Sequence, residues 1–334
     1  MQASALKEIL EKRGHDTAAI FSGRSLSGKK PVNNESISFL SPFFITSASL
    51  KGISLFLTFL FNAILIPVYL FESIRIGLKI RNLGPDAVIN FYDITGGLSF
   101  LFIPSNIRKV VISHHFFFEH PSFRLPAVRK FEKFLLLLHS RITSIAADKK
   151  IALSFSQEDN LPGRKLYIAP PLLRNSIRLT EPSNAGHVHI YTLKPGYLDD
   201  IEKWCIQHNK LKVRMFSDFR EKNPVSGLPN LELHSFNEEE FVKSISSCSR
   251  VICTSGFETL AEALFLGKAV EVFPSENHYE QYCNSLDLER TGLGVRKDFF
   301  FPSEVAHELR KNEQAAFKQW AEKADQIIPG YLEA

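Results

Sequence analysis

The second half of the chain alternates short apolar runs with amphipathic stretches, and this pattern restricts the possible folds more than any other. The predicted strands are His187–Leu193, Lys212–Phe216, Leu231–Leu233, Arg250–Cys253 and Ala269–Phe273. The predicted helices are Leu198–His208, Glu238–Ser246, Thr259–Leu266, Tyr279–Leu288 and Ser303–Ile328. Short apolar strands that alternate with helices are typical of a parallel sheet with right-handed crossovers. The pattern therefore predicts a doubly wound α/β domain.

The first half shows the same alternation less regularly. Its predicted strands are Thr17–Phe21, Ser36–Leu40, Ala87–Phe91, Lys109–Ser113 and Lys165–Ala169, and its clearest helices are Gln2–Arg13 and Val128–Ser140. Pro170-Pro171 and the Pro, Asn and Gly residues up to position 186 indicate a linker. A length of 334 residues suits two domains. We therefore expect domains at 1–172 and 173–334, facing each other across a cleft that receives ligands at the strand ends.

Composition excludes several classes of protein. An apolar share of 44% excludes wholesale disorder. The 40 basic and 36 acidic side chains give a net charge of only +4, too small an excess to indicate a nucleic-acid partner. The four cysteines form no CxxC pair, so we expect reduced thiols in a reducing compartment. We expect no secretory signal, because no basic n-region followed by an apolar core opens the sequence.

An uncharged stretch of 20 residues lies between Lys51 and Glu72. Its length could span a bilayer of about 30 Å. However, the predicted strands on either side of it would then lie on opposite faces of the membrane. Two other interpretations are a crossover helix partly buried in the fold and a helix that also dips into a membrane surface, for which the following Arg75, Lys79 and Arg81 are suitable flanks. The second interpretation predicts peripheral membrane contact through residues 53–71.

The junction at residues 250–262 has the chemistry of a phosphate site. The apolar strand Val251–Cys253 ends at Thr254-Ser255-Gly256, and a helix follows at once. Small residues there leave backbone N–H groups at the helix N-terminus, where the helix dipole attracts a phosphate. Glu262, one turn into the helix, could accept hydrogen bonds from ribose hydroxyls. A strand–Ser-Gly–helix turn alone is a weak signal, because many α/β proteins contain a structural cap of this kind.

The longer order of residues is more specific. It reads S-G-x-x-T-x-x-E from Ser255, then Gly267-Lys268, then Phe273-Pro274, then E-Q-x-x-N from Glu280. This stretch resembles the nucleotide-sugar domain of GT-B glycosyltransferases. It is most similar to family 28, which includes the bacterial peptidoglycan N-acetylglucosaminyltransferase, and to related uncharacterised bacterial and archaeal transferases. The resemblance implies two Rossmann-like domains of the GT-B fold and a UDP-sugar donor.

The resemblance also implies roles for individual residues. Ser255, Gly256 and Thr259 would contact the diphosphate, and Glu262 would hold the ribose. Glu280 and Gln281 would hold the donor sugar, and Phe236 would lie beside the base. Arg174 could reach the phosphates as a bidentate cation, and Lys194 is a further candidate unless it is a solvated surface lysine. Glu258 departs from the pattern, because a carboxylate beside a diphosphate is repulsive.

The start of the chain also departs from the resemblance. Residues 1–7 correspond to the helix that follows the first strand and Gly-rich loop of such enzymes, and relatives often place a catalytic histidine in that loop. Two explanations stay open, namely an assigned start at an internal Met and a true loss of the first strand. The second would leave a vacant position in the centre of the sheet and unpaired backbone groups beside it.

Candidates for the catalytic base therefore come from the rest of the first half. Asp93 lies in NFYDITGG, and His114, His115 and His120 lie in VISHHFFFEHP. Each group follows a predicted strand, and each residue could equally be structural. The H-H-x4-H spacing does not place three imidazoles on one helix face, and no Asp-x-Asp motif occurs. The resemblance implies that the helix dipole and basic side chains stabilise the leaving group without a metal or other cofactor, and the missing Asp-x-Asp motif agrees with this. The base candidates are Asp93, His114 and His115.

Two functions agree with these residues. The first is a glycosyltransferase that moves a hexose or N-acetylhexosamine from a UDP-sugar to a lipid-linked or cell-envelope acceptor. It would act in the cytoplasm or on the inner face of the cell membrane. The second is a nucleotide-sugar epimerase, or an inactive nucleotide-sugar-binding protein, of the same fold. The Ser-Gly, Glu262 and Glu280-Gln281 set favours the transferase.

Overall fold

The chain forms two compact units, which do not follow a single cut in the sequence. A computed structural model describes residues 1–23, 38–219, 225–300, 302–303 and 311–333. The N-terminal unit comprises residues 2–45, 54–170 and 324–334, and the C-terminal unit comprises Met1, 46–53 and 171–323. The main change of unit at 170/171 lies beside the expected boundary at 172/173. Two short segments, 46–53 and 324–334, are grouped with the opposite unit from the one expected.

The helices are numbered in chain order. They are α1 (Gln2–Lys12), α2 (Leu55–Ile64), α3 (Ile66–Leu83), α4 (Ile94–Ser99), α5 (Lys130–Thr143), α6 (Asn175–Arg178), α7 (Leu198–Gln207), α8 (Glu238–Ser247), α9 (Phe257–Phe265), α10 (Tyr279–Arg290), α11 (Lys311–Glu322) and α12 (Ala324–Glu333). Short 3-10 helices follow several strands, including His114–Glu119.

The strands are numbered in the same way. They are β1 (Phe21–Ser22), β2 (Ser38–Phe39), β3 (Ala87–Asn90), β4 (Arg108–Ser113), β5 (Lys149–Leu153), β6 (Leu166–Ala169), β7 (Val188–Tyr191), β8 (Val213–Ser217), β9 (Leu231–Ser235), β10 (Arg250–Thr254), β11 (Ala269–Phe273) and β12 (Val295–Arg296). Every pair of these neighbouring strands is parallel.

The C-terminal unit contains one six-stranded sheet in the order β12-β11-β10-β7-β8-β9. The sheet runs outward from β7 to β9 and then returns to β10 beside β7, which is the doubly wound arrangement. The strands are apolar because both faces of such a sheet are covered. All five residues of β10 are buried, and Ile190, Ile201 and Met215 lie in a core that is fully closed to solvent.

The N-terminal unit contains two parallel sheets among its described residues, one in the order β1-β2 and one in the order β3-β4-β5-β6. Helix α12 returns to this unit from the end of the chain. The Lys149 ammonium of β5 donates a hydrogen bond of 2.9 Å to the Tyr331 carbonyl of α12. The rings of Tyr167 and Tyr331 pack at 5.2 Å. The absence of a central first strand from this half stays a prediction.

The observed elements differ from the predicted ones in a few places. The predicted strand Thr17–Phe21 is wrong over residues 17–20, since only Phe21–Ser22 pairs, with the equally short Ser38–Phe39. Residues 36–37 of the next predicted strand lie outside the described residues. The predicted helix over Ser303–Ile328 is two helices, α11 and α12, and residues 304–310 lie outside the described part. Strand β5 was missed, because Lys149-Lys150 begins it.

The uncharged stretch forms helices α2 and α3, which meet at a bend of 63°. Within the described part of the chain no single helix is long and apolar enough to cross a membrane, whereas this bent pair meets the length and composition required. No residue of α2 is buried. Helix α3 buries one face through residues such as Tyr69, Ile76 and Ile80. The stretch is thus a pair of partly buried helices and not one continuous helix, and both the partly buried crossover helix and the contact with a membrane surface stay predictions.

Candidate functional site

The order of strands in the C-terminal unit places a switch point between β7 and β10. These strands are adjacent and parallel, and the chain leaves them toward opposite edges of the sheet. Ligands of doubly wound domains bind outside the carboxyl ends of the strands at such a point. Strand β7 ends at Tyr191 and β10 ends at Thr254. The residues that follow these two ends, including Lys194 and Ser255, therefore line the expected site.

The turn from β10 to α9 has the features of a phosphate cradle. Gly256 is the N-cap of α9 and supplies no side-chain cap, so the first-turn N–H groups keep their capacity for an anion. The nearest atom that a Cβ on Gly256 would meet lies 4.0 Å away. Ser255 is fully buried, and its hydroxyl has no hydrogen-bond partner within the described residues. Thr259, one turn into the helix, is also buried.

Asn284 holds this turn in place from α10. Its side-chain amide donates a hydrogen bond of 2.8 Å to the Ser255 carbonyl, and the residue is fully buried. No role was predicted for Asn284, although this residue ends the E-Q-x-x-N order. Gln281, on the same helix, accepts a hydrogen bond of 2.9 Å from the Ser275 amide through Oε1. Gln281 thus fixes the loop after β11, while its neighbour Glu280 is half-buried.

Arg174 and Glu262 form a buried ion pair. The guanidinium donates two hydrogen bonds to the carboxylate, at 2.6 and 2.7 Å. Only 8% of Arg174 and 3% of Glu262 is exposed. Burial raises the pKa of Glu262, and the hydrogen bonds from Arg174 oppose this shift. The sequence predicts separate contacts of Arg174 with phosphate and of Glu262 with ribose, whereas the structure brings the two side chains together.

Lys194 and Phe236 follow the carboxyl ends of β7 and β9, which are separated by β8 in the sheet. The Lys194 ammonium donates a hydrogen bond to the carboxylate of Asp218, so this lysine is ion-paired. Phe236 follows β9 and keeps 42% of its surface exposed, as a ring that stacks on a base requires. Its ring lies 6.2 Å from that of Tyr191 and 5.4 Å from that of Phe241. Burial raises the pKa of Tyr191 to about 12.

In the N-terminal unit, Asp93 is the N-cap of α4. Its Oδ1 accepts hydrogen bonds from the Thr95 hydroxyl at 2.7 Å and the Gly96 amide at 2.6 Å. Its Oδ2 accepts a hydrogen bond from the Ser41 hydroxyl. These bonds hold the carboxylate at the beginning of a helix. A catalytic role of Asp93 stays a prediction.

The two adjacent histidines after β4 have different surroundings. His114 is 3% exposed, and its Nδ1 lies 2.7 Å from the Leu153 carbonyl oxygen, which accepts a hydrogen bond from it. His115 is half-buried and lies 2.7 Å from the Ser113 hydroxyl through its Nδ1.

His115 also belongs to a stack of three rings, which no pattern in the sequence predicts. The Tyr92 ring lies 3.9 Å from His115 on one side and 4.4 Å from His139 on the other. Its hydroxyl lies 2.7 Å from the Ser140 hydroxyl. Tyr92 has a φ of 58°, an unfavourable left-handed conformation for an aromatic residue. Strained residues of this kind cluster at functional sites.

Helices α2 and α3 expose many large apolar side chains of the N-terminal unit. Phe56 exposes 74% of its surface. Others that are exposed are Phe59, Phe61, Ile64, Ile66, Leu70, Phe71 and Leu78. A single exposed apolar residue is ordinary, whereas a contiguous set marks an interaction surface. Within the described part of the chain no group of His, Cys, Asp and Glu side chains could hold a metal ion. A metal-independent reaction stays a prediction.

Comparison with known proteins adds a family and a fold. The family model described as glycosyl transferase family 1 matches residues 112–311, which is more than half of the chain. An uncharacterised glycosyltransferase of Methanosarcina acetivorans is 29% identical over 110 residues, which are 32% of this chain. The match spans 29% of that relative's length.

Solved structures resemble the whole chain. MurG of Acinetobacter baumannii matches with a TM-score of 0.61 and 12% identity, over 99% of this chain and 95% of its own. The structure of LpCGTa in complex with UDP matches with a TM-score of 0.58 and 12% identity, over 96% and 90% respectively. At these identities the likeness concerns the fold, which is GT-B with two parallel-sheet α/β domains.

Proposed function

The chain belongs to glycosyl transferase family 1, and on this basis we propose that it transfers a hexose or N-acetylhexosamine from a UDP-sugar to an acceptor hydroxyl. One observation carries the proposal. The fully buried Ser255 hydroxyl, with no hydrogen-bond partner among the described residues, lies at the uncapped beginning of α9 beside the switch point. A buried hydroxyl without a partner costs free energy, and a bound phosphate would remove that cost.

The donor would occupy the carboxyl ends of β7, β10 and β11. Its diphosphate would lie beside Gly256 and accept hydrogen bonds from the Ser255 hydroxyl and from the first-turn N–H groups of α9, with Thr259 close by. The Gly256 amide itself donates to the Thr254 carbonyl at 2.6 Å. The base would stack on Phe236, whose ring is half exposed beyond β9. LpCGTa, which shares the fold, has been solved in complex with UDP. This supports a uridine nucleotide as the donor group, and Glu280 is the polar residue proposed for its sugar.

Glu262 would contact the ribose without giving up Arg174. A carboxylate has about four lone-pair sites, and two are used by the guanidinium. The two hydrogen bonds from Arg174 orient the carboxyl of Glu262 and favour its charged form, against the burial that raises its pKa. Arg174 would thus act on the donor indirectly, by orienting Glu262. Lys194 could leave Asp218 for a phosphate, because both side chains are partly exposed.

We propose His115 as the base that accepts the proton of the acceptor hydroxyl. Asp93 is engaged as a helix cap, and His114 is nearly closed to solvent. The imidazole of His115 is half-buried, and contacts to Ser113 and Tyr92 fix its ring. A base must reach the proton it removes, so a ring of fixed orientation at the end of β4 suits the task. The leaving diphosphate would be stabilised by the N–H groups at the beginning of α9.

The acceptor would be lipid-linked or part of the cell envelope. The exposed apolar residues of α2 and α3 form a surface that fits the boundary of a lipid bilayer, and Arg75, Lys79 and Arg81 of α3 could contact its anionic headgroups. All four cysteines are buried and lie outside disulfides, which agrees with a reducing compartment. We therefore propose peripheral attachment of the enzyme to the cytoplasmic face of the cell membrane through residues 53–71.

Binding of UDP tests the donor site. Ser255→Ala removes the hydroxyl that would donate to the diphosphate, and a hydrogen bond to a charged group contributes about 1.5–3 kcal/mol. We therefore expect UDP affinity to fall by about 10- to 100-fold in isothermal titration calorimetry. Ser154→Ala is the matched control, because Ser154 is an equally buried serine of the N-terminal unit. Equal UDP affinities of the two variants would refute the donor site.

Release of UDP tests the reaction. The purified chain is incubated with UDP-glucose, UDP-galactose and UDP-N-acetylglucosamine, each with and without lipid vesicles, and free UDP is measured. We expect slow release from at least one of these donors and its loss in His115→Gln. Release that persists in His115→Gln would refute the assignment of the base.

A further inference from the structure

A cavity of about 260 Å³ lies in the C-terminal unit apart from the residues proposed for the donor. The first turn of α7 contributes Asp200 to it, the loop after β11 contributes Glu276, and the chain after β12 contributes Asp298 and Phe299. Lys51, from the segment 46–53, forms a further part of the lining. None of the residues proposed for diphosphate, ribose or donor sugar lines the cavity.

The segment 46–53 is a hairpin that closes one side of this cavity. Its ends meet in an antiparallel bridge between Thr46 and Ile53. The Ile53 amide donates a hydrogen bond of 3.2 Å to the Glu276 carbonyl, and the Glu276 amide donates one of 3.2 Å to the Lys51 carbonyl. A Cβ on Gly52 would lie 1.8 Å from the Glu276 carbonyl oxygen, so only glycine permits this close approach.

Further contacts hold the hairpin on α7. The Tyr197 hydroxyl donates a hydrogen bond of 2.9 Å to the Lys51 carbonyl, and the Lys51 ammonium donates one of 2.7 Å to Asp200. A Cβ on Gly196 would lie 2.4 Å from the Leu50 carbonyl carbon. The lining is therefore formed before any ligand arrives, which reduces the entropy lost on binding.

The lining combines an exposed aromatic ring with carboxylates. Phe299 exposes 68% of its surface, and Glu276 and Asp298 are exposed beside it. An aromatic ring offers an apolar face to the C–H face of a sugar, and ionised carboxylates accept hydrogen bonds from hydroxyls. Of the three lining carboxylates, Asp200 is paired with Lys51 and Asp298 with Arg296. The carboxylate of Glu276 therefore leaves the lining with a net negative charge, which would repel an anionic ligand.

We propose that this cavity is a second saccharide site, which binds one neutral sugar ring. Its volume of about 260 Å³ lies just below the range for drug-sized ligands, which suits a single ring. The sugar ring could belong to the donor or to a glycan acceptor. Only this choice of source rests on the proposed transferase function. The binding itself is a property of the cavity and is tested without the transfer reaction.

The test is ligand-observed NMR with the full chain and three probes, namely methyl glucoside, N-acetylglucosamine and glucuronate. We expect saturation transfer to at least one neutral sugar and weaker transfer to glucuronate. Phe299→Ala should weaken the binding at least tenfold, and Glu276→Gln should weaken it less. Phe131→Ala is the matched control, because Phe131 is a ring of the N-terminal unit that is 53% exposed. Absence of binding by both neutral sugars, or equal losses in Phe299→Ala and Phe131→Ala, would overturn the proposal.

UDP separates this proposal from that of the donor site. Phe299→Ala should retain wild-type UDP affinity, whereas Ser255→Ala should lose UDP affinity and retain sugar binding. A chain that binds the sugar and not UDP would refute the proposed donor site alone. If a UDP-sugar displaces the probe and UDP does not, the site holds the donor's sugar. If neither displaces it, the site holds a sugar of the acceptor.

Discussion

Removal of one partner from the Arg174–Glu262 pair should destabilise the C-terminal unit more than removal of both. Arg174→Met leaves the Glu262 carboxylate, only 3% exposed, without its two hydrogen bonds. An uncompensated buried charge costs about 3–5 kcal/mol of unfolding free energy. Arg174→Met with Glu262→Leu replaces the pair by apolar side chains of similar volume. Such a replacement is often neutral or stabilising, so we expect the double variant to be close to the wild type.

Tryptophan fluorescence reports on this unit selectively. The chain has two tryptophans, and both Trp204 and Trp320 lie in the C-terminal unit. Urea unfolding followed by their emission therefore gives the free energy of unfolding of the part that contains the pair. The Arg174→Met variant should show a midpoint well below that of the wild type, and the double variant should recover it.

Glu238→Gln is the control for this cycle. Glu238 lies 3.3 Å from the Arg174 guanidinium, and its side chain is 60% exposed. Because the Glu238 carboxylate is largely exposed, water screens its contact with the buried Arg174, so its loss should change the midpoint little. If Arg174→Met costs less than about 1 kcal/mol, or if the double variant is as unstable as the sum of the single ones, the pair is not the buried unit described above.

Three further changes test other parts of the molecule. Burial lowers the pKa of His189 from 6.5 to about 3, so its contribution to stability is complete above pH 6.5 and is lost as pH falls toward 3. His189→Gln should reduce the fall of unfolding free energy over this range by about 1.4 kcal/mol per pH unit in fluorescence-detected unfolding. An unchanged slope would contradict this. Gly52→Ala should release the hairpin and speed its cleavage by protease, whereas Gly163→Ala, with nothing within 4 Å, should not; equal cleavage would exclude the close approach. Phe56→Asp should reduce cosedimentation with anionic vesicles severalfold, and Leu179→Asp, at a residue that is 83% exposed in the other unit, should leave it unchanged. Vesicle binding by both variants equal to that of the wild type would remove the membrane surface from the proposal.

Much of the fold of the C-terminal unit could be predicted because its signals are local. Strand Ala269–Phe273 was predicted with its observed bounds, and Arg250–Cys253 and Leu198–His208 with errors of one residue. These three elements could be predicted because apolar runs and helical spacing can be counted along the chain. Strand β5 was missed because its first two residues are lysines, which suit an exposed strand end as well as a loop. Strand β12 is only two residues long, Val295–Arg296, which is too short for periodicity to detect.

Only part of the candidate site could be predicted from local sequence signals. The Ser255-Gly256 turn could be located because a strand, a small residue and a helix follow one another in sequence. Asn284 contacts the carbonyl of Ser255 from 29 residues away, so its role depends on how α10 packs. The Tyr92 stack likewise joins β3, β4 and α5, and no spacing rule predicts that their rings become parallel.

The sequence by itself determined the alternation of strands and helices, the strand–Ser-Gly–helix turn and the family, because each depends on the order of neighbouring residues. Tertiary structure decided which charges are paired, as with Arg174 and Glu262, which lie 88 positions apart. It also decided that residues 46–53 form one side of a cavity in the C-terminal unit. Packing and burial act between residues that are distant in sequence. Those contacts exist only once the sheet order has brought the strand ends together.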